Sequence, residues 1–221
     1  MKSTLYLASA SPRRHALLNQ IGIEHEVLRV PSPPGEDEPK LETENPLEYV
    51  QRTALDKAIR AQQWILKNYP DRFKAGEQIS ILTADTTVAL DTLVLGKPND
   101  DVEAAHILRL LSGQTHTVLT ALVLSRATPD TITDTHDSVR AATINWKRST
   151  SLSITHVSFC ELTDETIDEY IATKEPFGKA GAYGIQGHAA KFIQRIEGSY
   201  SGVMGLPLYE TSALIQGLNT Q

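Results

Sequence analysis

The chain of 221 residues contains one cysteine, Cys160. A single thiol excludes an intrachain disulfide framework and a cysteine-rich zinc site, which suits a reducing compartment. No apolar run approaches about 18 residues, the length that a membrane-spanning helix needs. The opening segment MKSTLYLASASPRR has too short an apolar run for a signal peptide. We therefore expect a soluble, cytoplasmic protein without a membrane partner.

Positive charge is scarce as well, since 21 Lys and Arg face 27 Asp and Glu, for a formal net charge of -6. Proteins that hold nucleic-acid backbones or anionic membranes carry dense basic surfaces. The balance argues against both classes, so any anion site must be local. The hydrophobic fraction of 40% is ordinary, and the length suffices for one large domain or two lobes that share a cleft.

Strand and helix patterns interleave along the chain, which predicts an α/β or α+β sheet protein. The acidic, proline-rich stretch 31–46 has no periodicity and predicts a loop. Strands are predicted at 4–8, 25–30, 79–90, 93–95, 116–125, 138–147, 152–161 and 191–197, and helices from about residue 12, over 46–68, over 99–113, after Thr163 and from Pro207.

The stretch LASASPRRHALL places two cations at the start of a helix. Ser11 is a suitable N-cap and Pro12 suits the first helical position, so Arg13 and Arg14 face the positive end of the helix dipole. A bound anion, for which phosphate is the natural candidate, would relieve this conflict. The alternative is an ordinary capped helix whose arginines extend into solvent.

Lys57 is an irregularity in the long helix predicted over 46–68. At 100° per residue it lies on the same face as the apolar stripe formed by Val50, Ala54, Ala58, Ala61 and Ile65. Such a lysine either extends outward along the surface or points its ammonium into a cleft.

Asp85 lies inside a predicted strand, where aspartate is disfavoured and an unpaired buried charge is costly. A metal ion, a lysine or a reacting water could serve as its partner, and a bulge or strand end is the alternative. Lys97 follows in LGKPND, at a turn before a helix that Asn99 is expected to cap. Lysines in turns are also common at plain surfaces.

The stretch GKAGAYGIQG carries glycines at every third position. Glycines permit positive φ angles and a close approach of the backbone to a ligand. The stretch fits neither the P-loop nor the dinucleotide fingerprint, and a plain glycine-rich turn is the alternative. Gln186 offers an amide suited to a nucleobase edge. Together, several cations, one or two carboxylates and a flexible glycine-rich loop are the groups expected at a metal-dependent nucleotide phosphate site.

Four stretches also resemble the Maf family of nucleoside triphosphate pyrophosphatases: LASASPRRHALL, ADTTVALDTLVLGKPND, LSGQTHTVLTALVL and KAGAYGIQGHAAKFIQRIEGSYSGVMGLPLYE. The resemblance runs from about residue 4 to 216. It implies a single domain over 1–221, with a mixed twisted sheet, flanking helices and two lobes around a nucleotide cleft, as in inosine triphosphate pyrophosphatases. Residues 126–152 are longer than the usual family connection and predict an insertion, either a surface hairpin extension or a loop.

The resemblance also implies roles for individual residues. Asp85 matches the catalytic proton acceptor, and Glu38 and Asp85 match the carboxylates near a divalent cation, Mg²⁺ or Mn²⁺. The positions that match substrate-binding residues are Ser9, Arg13, Arg14, Lys57, Thr86, Lys97 and Gln186; among them, Arg13, Thr86 and Gln186 match positions linked to substrate choice.

The stretches ADT and GIQG are similar to the branch that acts on dTTP and UTP. The implied reaction is hydrolysis of a nucleoside triphosphate to the monophosphate and pyrophosphate, a house-cleaning of the nucleotide pool. A non-catalytic nucleotide-sensing regulator of cell division and a 7-methyl-GTP pyrophosphatase are the alternatives. A homodimer is compatible with the sequence, which does not determine the oligomeric state.

Overall fold

A seven-stranded mixed sheet flanked by helices forms the framework of the protein. The computed structural model describes residues 3–32, 38–74, 77–129 and 144–217. The strands are Ser3–Leu7 (β1), Glu26–Val27 (β2), Gln78–Leu90 (β3), Leu93–Leu95 (β4), Thr115–Pro129 (β5), Ile144–Phe159 (β6) and Ile193–Glu197 (β7). The α-helices are Pro12–Gln20 (α1), Pro46–Asn68 (α2), Pro70–Lys74 (α3), Asp101–Leu111 (α4), Asp164–Ala172 (α5), Tyr200–Met204 (α6) and Leu208–Gln216 (α7). This architecture confirms the predicted α/β fold class.

The order of the strands is β2-β1-β3-β5-β6-β7, with β4 attached to β3. Strand β1 is parallel to both of its neighbours, and the remaining pairs are antiparallel. Along β3, residues 78–82 pair with β1 and residues 88–90 pair with β4, while residues 80–89 pair with β5. In the described part of the chain, no strand therefore pairs with residues 83–87 on the edge away from β5. This leaves a gap in the sheet.

Both faces of the central strands are covered by helices. Alternate residues of a strand point to opposite faces, so neighbouring residues of β5 pack against different helices. On one face α2 packs against Ala121 and Val123 of β5. On the other face α1 and α7 pack against Leu122 and Leu124. A further apolar cluster joins Val88 of β3 to α4, α5 and the ends of β5 and β6. Strand β3 thus runs from one apolar cluster into another.

Helix α2 has the bounds that the sequence predicts. The Asn45 side chain accepts hydrogen bonds from the backbone N–H groups of Leu47 and Glu48, and the Glu48 side chain caps Asn45 in return. The whole predicted apolar stripe is buried. A helix fixed in this way holds the side chains on its inner face in defined positions.

Three predictions for individual elements are wrong. Strand β6 is continuous where two strands were expected, at 138–147 and 152–161. The polar residues 149–151 interrupt the apolar pattern but keep their backbone pairing with residues 122–124 of β5. Helix α4 is capped by Asp100, whose carboxylate accepts from the Glu103 backbone N–H, whereas Asn99 bonds to the Glu103 carboxylate. Strand β2 is also shorter than the predicted 25–30.

The predicted insertion, 126–152, falls largely on the β5–β6 hairpin, whose pairing extends to Pro129 and Ile144. Residues 130–143 lie outside the described residues. That this segment is atypical of its family stays a prediction, as does the assignment of 1–221 to a single domain. Across the described ranges, no helix is long and apolar enough to cross a membrane.

Candidate active site

A cavity of about 640 Å³ lies at the gap in the sheet. Its walls come from the start of α1, the inner face of α2, the open edge of β3, strand β4, the turn before α4, residues 178–180 and the end of α6. This volume is in the range of small-molecule sites. The charged residues that line the cavity are Arg13, Arg14, Glu38, Lys57, Asp85, Lys97, Glu103 and Lys179.

Asp85 lies on the open stretch of β3 and is only 5% exposed. Its Oδ1 accepts a hydrogen bond from Lys57 Nζ at 2.6 Å, and its Oδ2 accepts from the hydroxyls of Thr53 at 2.8 Å and Thr87 at 3.3 Å. Burial by itself raises the pKa of Asp85, but the charges of Lys57 and Arg14 and these hydrogen bonds outweigh it and hold the pKa below its ordinary value. Asp85 is therefore a carboxylate at neutral pH.

Lys57 points its ammonium into the cavity, as the cleft interpretation expects. Nζ lies 2.6 Å from Asp85 Oδ1 and 2.5 Å from Glu38 Oε1, so one cation bridges two carboxylates. Glu38 is held close to α2 because its backbone oxygen accepts from the Tyr49 hydroxyl at 2.9 Å. Glu38 is thereby fixed to the same helix that supplies Lys57.

Arg14 joins three separate segments. Its Nε donates to the Gly205 carbonyl oxygen at 2.7 Å, Nη1 to the Ser9 hydroxyl at 3.3 Å and Nη2 to the Thr86 hydroxyl at 3.1 Å. Burial lowers the pKa of Arg14, although an arginine stays protonated in proteins. Ser9 is not part of the cavity wall; it orients Arg14. Thr86 lines the wall beside it.

The other predicted positions lie in different settings. Arg13 lines the cavity and makes no hydrogen bond or ion pair within the described ranges, and the Ser11 side chain forms no cap bond at the start of α1. Lys97 lines the cavity as an exposed side chain. Gln186 is exposed on the turn before Gly187 and does not line the cavity. The structure thus brings together all of the predicted residues except Gln186. Ser9 belongs to the group only by its hydrogen bond to Arg14.

Thr53 and Lys179 are site residues that the sequence analysis missed. Thr53 lies one helical turn before Lys57 and is 1% exposed. A threonine beside the apolar stripe of α2 was the signal that could have found it. Lys179 is the one cation within the glycine-rich stretch GKAGAYGIQG. A lysine in a loop contradicts no local pattern, so the sequence carried no signal for it.

Glu38 and Asp85 are the carboxylates that fit a divalent cation. Residues 3–32, 38–74, 77–129 and 144–217 contain no cluster of three or more His, Cys, Asp or Glu side chains that could hold a metal by themselves. Mg²⁺ is commonly bound by one or two carboxylates together with substrate phosphates and water. Two carboxylates that already share one cationic partner match this donor set.

The cavity carries an excess of positive charge although the chain as a whole is acidic. Lys57 is paired with two carboxylates, whereas Arg13, Arg14, Lys97 and Lys179 have no carboxylate within ion-pair distance in the described part of the chain. Four cations without acidic partners around one cavity favour a polyanionic ligand. The unpaired positive charge of the described residues at this cavity is thus local, as the composition requires of any anion site.

Comparison with known proteins identifies close relatives. A family model described as Maf-like protein matches residues 4–218. The proteins named dTTP/UTP pyrophosphatase of Bordetella avium and Cupriavidus metallidurans are 49% and 46% identical to this chain, over 96% and 98% of it and 94% and 97% of their own lengths. The protein of the same name from Burkholderia pseudomallei is 42% identical over 96% of this chain and 92% of its own.

Proposed function

Because this chain belongs to the Maf-like protein family, we propose that it hydrolyses nucleoside triphosphates, with dTTP and UTP preferred, to the nucleoside monophosphate and pyrophosphate. The observation that carries this proposal is one cavity in which the Asp85–Lys57–Glu38 cluster lies beside four cations without acidic partners in the described ranges. The names of the relatives agree with the function that the resemblance implies.

In the proposed reaction a water molecule attacks the α-phosphorus. Asp85 orients this water and accepts its proton, and Lys57 keeps the carboxylate ionised. A carboxylate whose pKa is lowered is a weak base, so the water must be made more acidic. A divalent cation bound by Glu38, Asp85 and phosphate oxygens would supply this acidity and neutralise phosphate charge.

The cationic side chains of the cavity are proposed to hold the triphosphate. An ammonium has three N–H donors and Lys57 uses two of them on Glu38 and Asp85, which leaves one for a phosphate oxygen. Arg14 is fixed by three hydrogen bonds and keeps two further N–H donors. Arg13 and Lys97 add charge from the start of α1 and the turn before α4.

Base selection is proposed to follow the branch that the resemblance indicates. Thr86 lines the cavity, whereas Gln186 is exposed outside its wall. The substrate-choice roles of Arg13, Thr86 and Gln186 remain predictions, and so do the cytoplasmic location and the homodimer.

A panel of nucleoside triphosphates tests the function. Purified protein is incubated with Mg²⁺ and dTTP, UTP, CTP, ATP or 7-methyl-GTP, and monophosphate and pyrophosphate are quantified. We expect equal amounts of the two products, fastest with dTTP and UTP. Release of orthophosphate would contradict the proposed bond cleavage, and preferred turnover of 7-methyl-GTP would assign the protein to the other branch. Nucleotide binding without turnover would indicate the sensing regulator.

A further inference from the structure

Lys179 is a cavity cation without an assigned role. It lies between α5 and β7, just before the short 3-10 helix Ala180–Ala182, and lines the cavity that contains Asp85. Its Nζ donates to the backbone carbonyl oxygen of Glu175. This bond uses one of three N–H donors and leaves two.

The charge of Lys179 is not neutralised by its nearest acidic residue. The Glu175 carboxylate is engaged elsewhere, since it accepts from the Tyr170 hydroxyl and the His188 N–H, both at 2.9 Å, and from the Ala189 N–H at 3.4 Å. Burial lowers the pKa of Lys179, and the positive charge of Arg13 lowers it further, with Glu175 opposing in part. Two neighbouring cations that face the same cavity repel each other until an anion lies between them.

Two glycines of this loop provide the space for the side chains of Lys179 and Glu175. A Cβ atom at Gly184 would lie 3.0 Å from Lys179 Cε, and a Cβ atom at Gly187 would overlap the Glu175 carboxylate. Neither glycine has a positive φ angle, so the requirement there is space. The loop is therefore packed so that Lys179 reaches the cavity with its position already fixed.

Lys179 and Asp85 belong to separate hydrogen-bonded groups that line one cavity. Asp85 bonds to Lys57, whereas Lys179 bonds to the backbone of Glu175, and no hydrogen bond between described residues joins the two groups. Arg13 lines the same cavity and has no acidic partner among the described residues. A triphosphate whose α-phosphate lies at Asp85 would thus extend its other end toward the unpaired cations Arg13 and Lys179.

We propose that Arg13 and Lys179 form the subsite for the β- and γ-phosphates, which leave as pyrophosphate. This inference rests on the proposed function. As the water oxygen bonds to the α-phosphorus, the bond from that phosphorus to the bridging oxygen breaks, and its electron pair leaves on the pyrophosphate. The water proton passes to Asp85. Two cations at the leaving group stabilise the charge that develops there.

Titration with pyrophosphate tests the subsite in metal-free buffer, where only protein cations can bind it. We compare wild type, Lys179→Met and Lys179→Arg by calorimetry, with UMP as the second ligand. Lys191→Met is the matched control, since Lys191 is exposed, lies over the Phe192 ring and does not line the cavity. We expect Lys179→Met to weaken pyrophosphate binding about tenfold or more, as for a lost charge-assisted hydrogen bond. UMP binding should stay within about twofold in every variant, and Lys179→Arg should restore most of the pyrophosphate affinity.

The outcomes separate this inference from the proposed function. Pyrophosphate affinity unchanged in Lys179→Met overturns the subsite, and an equal loss for pyrophosphate and UMP assigns Lys179 a structural role instead. Absence of triphosphate turnover in the wild type would overturn the proposed function, while the pyrophosphate titration would still report on the subsite.

Discussion

The two sides of the cavity differ in how their charges are balanced. On the Asp85 side, Lys57 lies within 2.6 Å of two carboxylates, and every charge in the cluster has a partner. On the Lys179 side, Arg13 and Lys179 have no carboxylate partner among the described residues. Paired charges contribute to the stability of the folded protein, whereas unpaired like charges cost stability until a ligand binds. Under the proposed function, the paired side would serve the chemistry and the unpaired side would bind the phosphates.

Asp85→Asn should give the largest effect, because it removes the proposed proton acceptor from the paired side and keeps the shape of the side chain. We expect kcat to fall about 10³-fold, within the range that general bases contribute. Steady-state kinetics with UTP and dTTP measure this, and circular dichroism checks the fold. A loss smaller than about tenfold, or about 1.4 kcal/mol, would contradict the role of Asp85.

His116→Gln concerns the Lys179 side of the cavity. It should change how the free energy of unfolding of the protein depends on pH. Buried His116 is 1% exposed and bonds the hydroxyl of Tyr183, which lines the cavity. Burial lowers the pKa of His116 from 6.5 to about 4. A folded-state pKa below the unfolded value gives stability that is present above about pH 6.5 and lost as pH falls toward 4.

The loss is at most about 3 kcal/mol, since one pKa unit corresponds to about 1.36 kcal/mol. Urea unfolding between pH 7 and pH 4 should therefore show a steeper decline for wild type than for His116→Gln. His188→Gln, at an exposed histidine, serves as the control and should follow the wild type. Parallel curves for wild type and His116→Gln would exclude His116 as the source.

Lys57→Ala should destabilise the protein, because it leaves the buried carboxylate of Asp85 facing Glu38 without their shared cation. Breaking a buried pair costs about 3 to 5 kcal/mol, and since the Lys57 side chain is 22% exposed we expect about 2 kcal/mol. Chemical denaturation measures the change. The loss should shrink near pH 4, where carboxylates become protonated, and a loss that is independent of pH would indicate packing instead.

Lys97→Ala should behave in the opposite way, because Lys97 is exposed and unpaired within the described ranges. We expect kcat/KM for UTP to fall about tenfold through a weaker phosphate contact, with an unchanged melting temperature. If Lys97→Ala melts earlier and keeps its kinetics, the lysine supports the turn and does not bind phosphate.

Gln186→Ala should give the smallest effect, confined to the choice of base. A lost hydrogen bond to the base is worth about 1 kcal/mol, or roughly fivefold in the ratio of kcat/KM for UTP over CTP. The ratio should fall more than turnover with UTP does. An unchanged ratio would agree with the exposed position of Gln186 and assign base selection to the cavity wall.

The parts of the fold that local signals determine could be predicted from the sequence. The start of α2 follows from Asn45, Pro46 and Glu48, because the Asn45 side chain accepts from the N–H groups of Leu47 and Glu48 and Pro46 has no N–H to satisfy. Strand β6 was wrongly predicted as two strands because its polar residues 149–151 are held by backbone pairing with the preceding strand β5. Backbone pairing leaves no trace in an apolar pattern.

The candidate site shows the same limit. Lys57 and Asp85 were noticeable because a charge on an apolar face or in a strand contradicts the local pattern. Lys179 contradicts nothing in its own loop, and its significance comes from Arg13, which is distant in sequence. Gln186 matched a family position, but a match of sequence does not determine on which side of a turn an amide lies.

The open stretch of β3 at residues 83–87 has one further consequence. An unpaired strand edge presents main-chain N–H and C=O groups that can recruit a strand from another molecule and start aggregation. Here the edge is closed at both ends by strands β1 and β4, so a strand from another molecule could not pair with it and continue past either end. The same gap opens into the cavity that contains Asp85. The interruption thus gives the cavity access to the middle of the sheet while limiting strand pairing between molecules at that place.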